Sequence, residues 1–232
     1  MVFKRKRLMI LNKLDEFNSQ EIQIVIIGSG PAGISLALEL EKKNLKTLIV
    51  EAGGEKYSQF SQDNFNSEIV GDKIIDLSHS RLRQFGGTSE IWGGWSKPME
   101  NYNIKQWGIN NNKLSKYSKS TCQILNIKNE FRKSSLDKYF SQIEFQYSQV
   151  KFANKFKDHI SKSKNINLIL NTQLSHFVGA NKKINYALCI SRGVEYKIQA
   201  NHLILLNISK KKLVKICVTV LIWFRVLQLE QY

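Results

Sequence analysis

A chain of 232 residues with 42% hydrophobic content has the material for one large domain or two small ones, which excludes wholesale disorder. A net charge of +16 raises polyanions as partners, but lysine outnumbers arginine and is spread among asparagines and isoleucines, the pattern of an AT-rich coding bias and not of a nucleic-acid groove. Cys122, Cys189 and Cys217 are odd in number and lack C-x-x-C spacing, so a reduced, cytoplasmic protein without a metal site is expected.

In chain order, Lys4-Arg5-Lys6-Arg7 precedes an apolar stretch, Leu8 to Leu11, too short for a signal peptide, and residues 1–20 read as a basic extension. Ile22 to Ile27 is short, β-branched and almost wholly apolar, as a strand buried on both faces of a parallel sheet would be. A glycine turn follows, then a helix with Pro31 in its first turn and Ile34, Ala37, Leu38 and Leu40 on its apolar face, then the strand Lys46 to Glu51. Together these make a βαβ unit. Residues 55–80 are polar and read as a surface excursion, with Ile69-Val70 and Ile74-Ile75 as small apolar patches. Helices are expected from Asn112 to Leu125, with Leu114, Tyr117, Thr121 and Leu125 on one stripe, and from Lys151 to Ser163, with Phe152, Phe156, His159 and Ile160 inward.

From Asn167 the period approaches two, and NLILNTQLSHFVG, INYALCI and VEYKIQANHLILL read as strands separated by Asn-Lys and Arg-Gly turns, a β-meander returning to the main sheet. The fold class is α/β: a Rossmann-like domain over 21–206, with a central parallel sheet, helices and a meander. Residues 207–232 do not fit this pattern. Their apolar stretch, Ile216 to Phe224, is too short and too closely flanked by Lys215 and Arg225 to be a transmembrane span. It reads as a terminal element on the core, a membrane-surface helix, or a segment foreign to the fold.

Two constellations carry chemistry. Gly28-Ser29-Gly30-Pro31-Ala32-Gly33 follows a buried strand and opens a helix, and Glu51 stands 18 residues beyond Gly33 at the end of the next strand. Gly28 suits the tight turn, Gly30 the approach of a pyrophosphate and Gly33 close helix–strand packing, while helix amides face the phosphates. A carboxylate at position 51 accepts from a ribose diol and repels a 2′-phosphate, so NADP is disfavoured while FAD and NAD stay open. The second constellation runs from Arg81 to Trp95. Gly86-Gly87 and Gly93-Gly94 permit close backbone approach to a planar ring, and Thr88 and Ser89 offer hydroxyls; alone, the same stretch reads as a turn anchored by Trp92 and Trp95.

VIIGSGPAGISLALEL, LIVEAGG and RLRQFGGTSEIWGGW together resemble the glucose-methanol-choline (GMC) oxidoreductases, FAD-dependent enzymes that oxidise alcohols and sugars. The likeness runs in order from about Ile22 to Leu206, through WGI, LSKYSKSTCQIL and NTQLSHF. It implies FAD over NAD, with Ala52, Arg83, Gly86, Gly87, Thr88, Ser89, Trp92, Gly93 and Gly94 joining the cofactor site and the backbone at Leu174 meeting the adenine. Some members attach flavin through a histidine in this loop; Glu90-Ile91-Trp92 stands here, which implies noncovalent binding.

The resemblance also implies a departure. Where the family continues with a glycine turn, a substrate domain and a late catalytic histidine, this chain reads Asn207-Ile208-Ser209-Lys210 and ends at Tyr232, so the substrate domain is expected to be largely missing and the tail to derive from a frameshift or premature end. His79, His159, His176 and His202 all precede that point, and none matches the catalytic position. The leading expectation is an FAD-binding fragment of an alcohol or sugar oxidoreductase, inactive alone, taking a small alcohol or sugar only if the missing half is supplied. A non-catalytic nucleotide-binding or partner-binding protein is the alternative, and a basic protein on nucleic acid or membrane the third reading.

Overall fold

The computed structural model describes residues 10–11, 22–66, 75–106, 114–180 and 183–205. In chain order these form β1 (Ile10–Leu11), β2 (Ile24–Ile27), α1 (Pro31–Glu41), β3 (Thr47–Val50), α2 (Gln59–Gln62), α3 (Leu77–Ser80), β4 (Trp95–Ser96), α4 (Asn101–Gln106), α5 (Ser118–Leu125), β5 (Lys133–Ser135), β6 (Ser141–Ile143) and β7 (Gln146–Tyr147). There follow α6 (Phe152–Lys162), β8 (Ile166–Ile169), β9 (Thr172–Ala180), β10 (Lys183–Ser191), β11 (Val194–Ile198) and β12 (His202–Leu205). The described residues fall into two units, one made of those up to Ile91 with those from Lys151 onward, the other of Trp92–Val150.

The first unit is built on a parallel sheet in the order β1-β8-β3-β2-β12. The expected βαβ unit is β2, α1 and β3. Alternation along these strands serves two faces. Val25, Leu48, Val50 and Ile169 pack with Ile22, Ala187, Cys189 and Ile198, which joins the sheet to the three-stranded antiparallel meander β11-β10-β9. Ile26 points the other way, to α1, where a β-carbon on Gly33 would lie 3.5 Å from its Cγ2. The meander hands the chain back to the main sheet through β12, as expected. Its Arg192-Gly193 turn has both residues at positive φ, 52° and 79°, the hand that suits a tight hairpin.

Three sequence expectations need correction. Ile10–Leu11, inside the stretch read as a basic extension, is a strand paired with Leu168 and Ile169. Tyr117 is 46% exposed and not on a buried stripe, because it precedes α5 as its cap, where its carbonyl accepts from the Ser120 and Thr121 hydroxyls; Cys122 is buried beside Leu125 instead. On α6, Phe152, Ala153 and Ile160 are buried, whereas His159 is exposed and pairs through Nε2 with Glu41 Oε2 at 2.5 Å. His159 lies seven residues after Phe152, at the rim of the apolar arc, where a polar tip reaches solvent.

The excursion is described over 55–66 and 75–80, mostly exposed, with Ile75 at 53%; Ile69, Val70 and Ile74 lie outside the described residues, as do Cys217 and the tail from 207. The second unit holds the antiparallel pairs β4·β7 and β5·β6, together with α4 and α5. Ile104 and Leu114 form its small apolar cluster with Met99, and the Ser148 hydroxyl ties to the Leu125 carbonyl at 2.6 Å.

Candidate functional site

Four parallel strands end level with one another: Ile27 pairs with Val50 and Leu205, and Val50 with Ile169. Gly28, Glu51 and Leu170 therefore emerge along one edge. Because β2 lies between β3 and the much later β12, this edge holds the point where the strand order reverses, the usual ligand crevice of an open parallel sheet.

The glycines of the loop differ in what surrounds them. Gly28 has φ 103°, which a side chain would resist, and its N–H donates to the Val50 carbonyl at 2.8 Å. A β-carbon on Gly33 would stand 2.0 Å from the Gly28 carbonyl oxygen, so only glycine lets α1 sit this close to β2. Gly30 differs: its φ is −68°, open to any residue, and nothing lies within 4 Å of a β-carbon built on it. Its smallness leaves room outside the loop. No side chain caps α1 at Gly30 and its first turn holds no acid, so the positive helix end, from Pro31 through buried Ala32, is left for an anion.

Glu51 is 7% exposed, and three donors meet its carboxylate: Ser29 N–H (2.8 Å) and Ser29 Oγ–H (2.7 Å) on Oε2, and Gly53 N–H (2.8 Å) on Oε1. Burial raises its pKa above the ordinary carboxylate value, opposed by these bonds and by the charge of Arg83. Half-buried Ala52 leads into Gly53, where a β-carbon would meet the Arg83 carbonyl oxygen at 2.3 Å. The next residue pairs in a parallel bridge, Gly54 with Gln84, and Phe85 N–H donates to the Gly54 carbonyl at 2.9 Å.

The structure brings the glycine loops together within the first unit. Gly86 N–H donates to the Ser29 carbonyl at 3.2 Å, and Gly87, at φ 58°, is so close that a β-carbon would stand 3.0 Å from Gly30 Cα. The two hydroxyls are engaged locally. Thr88 Oγ1 accepts from Leu82 N–H at 3.2 Å, and Ser89 Oγ donates to the Gly86 carbonyl at 2.8 Å while accepting from Phe152 N–H at 3.2 Å. Thr172 N–H donates to the Glu51 carbonyl at 2.9 Å, which sets the start of β9, with half-buried Leu174 two residues on, beside the same edge.

Trp92, Gly93 and Gly94 belong to the second unit. There the Trp92 indole donates to the Val150 carbonyl at 2.9 Å, and Gly94, at φ 73°, packs on Ser148. Trp95, which a core anchor would bury, is 49% exposed and lies against Tyr147 with ring centroids 5.4 Å apart.

The four histidines are dispersed, and none joins the bonds around Ser29 and Glu51: His79 and His176 contact adjacent serines, His159 pairs with Glu41, and His202 opens β12 at the opposite edge. Among the described residues no cluster of three or more His, Cys, Asp or Glu could hold a metal, and no helix is long and apolar enough to cross a membrane. Sequence reasoning missed Ser61, Gln62, Phe65 and Gln173, which surround Arg83; they carry no motif. The open space at Gly30, the uncapped α1 terminus and the acid at the end of β3 fit a dinucleotide, with phosphates at Gly28–Gly33 and a ribose at Glu51.

A family profile described as pyridine nucleotide-disulphide oxidoreductase matches residues 22–205. Among solved structures, the crystal structure of pyridoxine 4-oxidase from Mesorbium loti is similar in fold, with a TM-score of 0.50 at 13% identity, covering 79% of this chain and 49% of that one. The chain thus spans about half the length of that relative. No curated protein matches in sequence.

Proposed function

The chain belongs to the pyridine nucleotide-disulphide oxidoreductase family and carries a flavoprotein FAD-binding domain, and from that premise we propose that it is the FAD-binding portion of a GMC-type oxidoreductase acting on CH–OH groups. One observation carries the reading most strongly: the Gly86-Gly87 turn, placed by the GMC resemblance beside a flavin ring, packs directly on Ser29-Gly30 of the phosphate loop. The fold likeness to pyridoxine 4-oxidase, a GMC oxidoreductase, supports the same family relation.

In this proposal Gly28–Gly33 and the α1 amides bind the pyrophosphate, Glu51 accepts the ribose diol, and Ala52, Arg83, Gly86–Ser89 and Leu174 complete the site, within an FAD-binding domain over 21–206. When bound, flavin supplies acceptance of two electrons from an alcohol carbon, chemistry the side chains lack. Attachment is noncovalent in this reading, since Glu90-Ile91-Trp92 stands where some members of the resembled family carry the flavin-linked histidine. Buried, unpaired Cys122 and Cys189 accord with a reducing cytoplasm.

The dispersed histidines support inactivity of the chain alone, because a positioned base contributes about 10² to 10⁴ in rate. They equally favour the alternative, a non-catalytic nucleotide-binding protein. To test the FAD site and the inactivity of the chain alone, the full chain is purified, loaded with FAD and mixed anaerobically with a panel of alcohols and sugars. Retained yellow flavin without bleaching is expected. Rapid bleaching by any substrate would show a complete enzyme, and failure to retain flavin would refute the FAD site.

A further inference from the structure

Gln62 is 5% exposed, although it sits in the four-residue helix α2, whose other residues are exposed or half-exposed. A primary amide is costly to bury unless its groups are bonded, and this one has three partners. Its Nε2 donates to the Ser78 carbonyl at 2.7 Å and the Arg81 carbonyl at 2.6 Å, while its Oε1 accepts from Arg83 N–H at 3.1 Å. All three are main-chain groups of the segment leading into the Gly86-Gly87 turn.

The Arg83 side chain is held by the same region. Its Nε lies 3.5 Å from Ser61 Oγ, and its guanidinium carbon stands 5.4 Å from the centroid of the Phe65 ring. From the other direction its Nη2 donates to Gln173 Oε1 at 3.2 Å. Main chain and guanidinium are thus fixed between the excursion, the start of β9 and the turn after Glu51, where the Arg83 carbonyl fills the space a β-carbon on Gly53 would need.

We propose that Gln62 is a positioning residue for nucleotide binding: by pinning the Arg83 main chain it holds the guanidinium at the ribose end of the site, making residues 59–65 part of that site's construction. This rests on the FAD reading above. Arg83 is the charged group that acts on Glu51, and its cation favours the ionised carboxylate, the form able to accept from both ribose hydroxyls. A guanidinium is suited to this role because its planar fork can satisfy Ser61 and Gln173 while stacking on Phe65.

The test is a double-mutant cycle on the full chain, with FAD affinity read by flavin fluorescence and folding checked by thermal melting. Gln62→Leu and Arg83→Met are each expected to weaken FAD about tenfold, the size of a lost hydrogen bond to a charged group. If Gln62 acts through Arg83, the double variant binds no more weakly than Arg83→Met alone. Additive losses would overturn the inference, since a purely structural role for Gln62 persists without Arg83. Should Gln62→Leu not fold, Gln62→Asn, which keeps a primary amide but is too short to span its three main-chain partners, takes its place in the same cycle. A parent protein that binds no FAD refutes the FAD reading and this inference together; a binding parent with additive losses refutes the inference alone.

Discussion

Ser29 and Glu51, 22 residues apart, are joined twice: Glu51 Oε2 accepts from the Ser29 amide at 2.8 Å and from its hydroxyl at 2.7 Å. With Gly53 N–H on Oε1, the carboxylate ties the phosphate loop to the end of β3. A buried carboxyl group serves as a hinge pin between the two segments that would bind opposite parts of one ligand.

The first prediction follows from the ionisation of that pin. Burial raises the Glu51 pKa from its ordinary value of 4.5. Its contribution to stability is therefore fully present below the unfolded value and is lost as pH rises through the folded one. The melting temperature of ligand-free parent, relative to Glu51→Gln, should fall with rising pH across that window. FAD affinity should rise across it, since the ionised form accepts the ribose diol. Melting curves and FAD titrations in parallel buffers check both; a pH-independent difference would mean Glu51 does not titrate there.

The second prediction separates two glycines of one motif. Gly30→Val should leave melting nearly unchanged, because the added atoms meet open space at an ordinary backbone geometry, yet should abolish FAD retention. Gly33→Ala should instead destabilise the protein by about 1–3 kcal/mol or more, since its β-carbon lands 2.0 Å from the Gly28 carbonyl oxygen. Urea melts of the two variants, each with flavin absorbance of the purified protein, test the contrast. Equal behaviour would contradict it.

These contrasts show what was legible in the sequence. The β2-α1-β3 unit and its loop could be read because burial on both faces, turn chemistry and helix periodicity are local, and the meander because alternation is equally local. In the second unit helix α5 could be read but the strands could not, since β5 and most of β6 are exposed and leave no apolar pattern, with Leu136, Tyr139 and Phe140 at 67–80% exposure around their turn. Gln62 was invisible for another reason. Its partners are main-chain groups up to 21 residues away, which any side chains could precede.

The third prediction concerns two buried thiols, Cys189 in the core under the meander and Cys122 on α5 of the second unit. Burial pushes the Cys189 thiol up to about 11 and also raises Cys122, so neither forms thiolate near neutral pH. Native protein treated with iodoacetamide at pH 8 should yield unmodified Cys122 and Cys189 peptides by mass spectrometry, and both should be modified after unfolding in urea. Rapid native labelling of Cys189 would mean that the meander does not pack on the parallel sheet as described.

The fourth prediction assigns the GGTS segment a structural duty alongside its place in the cofactor site. Helix α6 opens with no side-chain cap from its own N-cap residue, Lys151, and its first amides would be costly to leave unbonded. They are satisfied from 63 residues away: Ser89 Oγ accepts Phe152 N–H at 3.2 Å, and Glu90 Oε1 accepts Ala153 N–H at 3.0 Å. The Glu90 charge at this end also opposes the helix dipole favourably. Losing a cap of this kind costs about 0.5–2 kcal/mol. Ser89→Ala and Glu90→Ala should each lower stability by that order, measured by urea unfolding, whereas Thr88→Ala, which loses only the bond from Leu82 N–H, should cost less. Glu90→Gln should recover most of the loss, because an amide oxygen can still accept from Ala153, and the remainder should disappear in high salt, where the charge–dipole contribution is screened. If Ser89→Ala instead keeps full stability while FAD binding collapses, the hydroxyl serves the ligand and not the helix, and the order of these effects must be reversed.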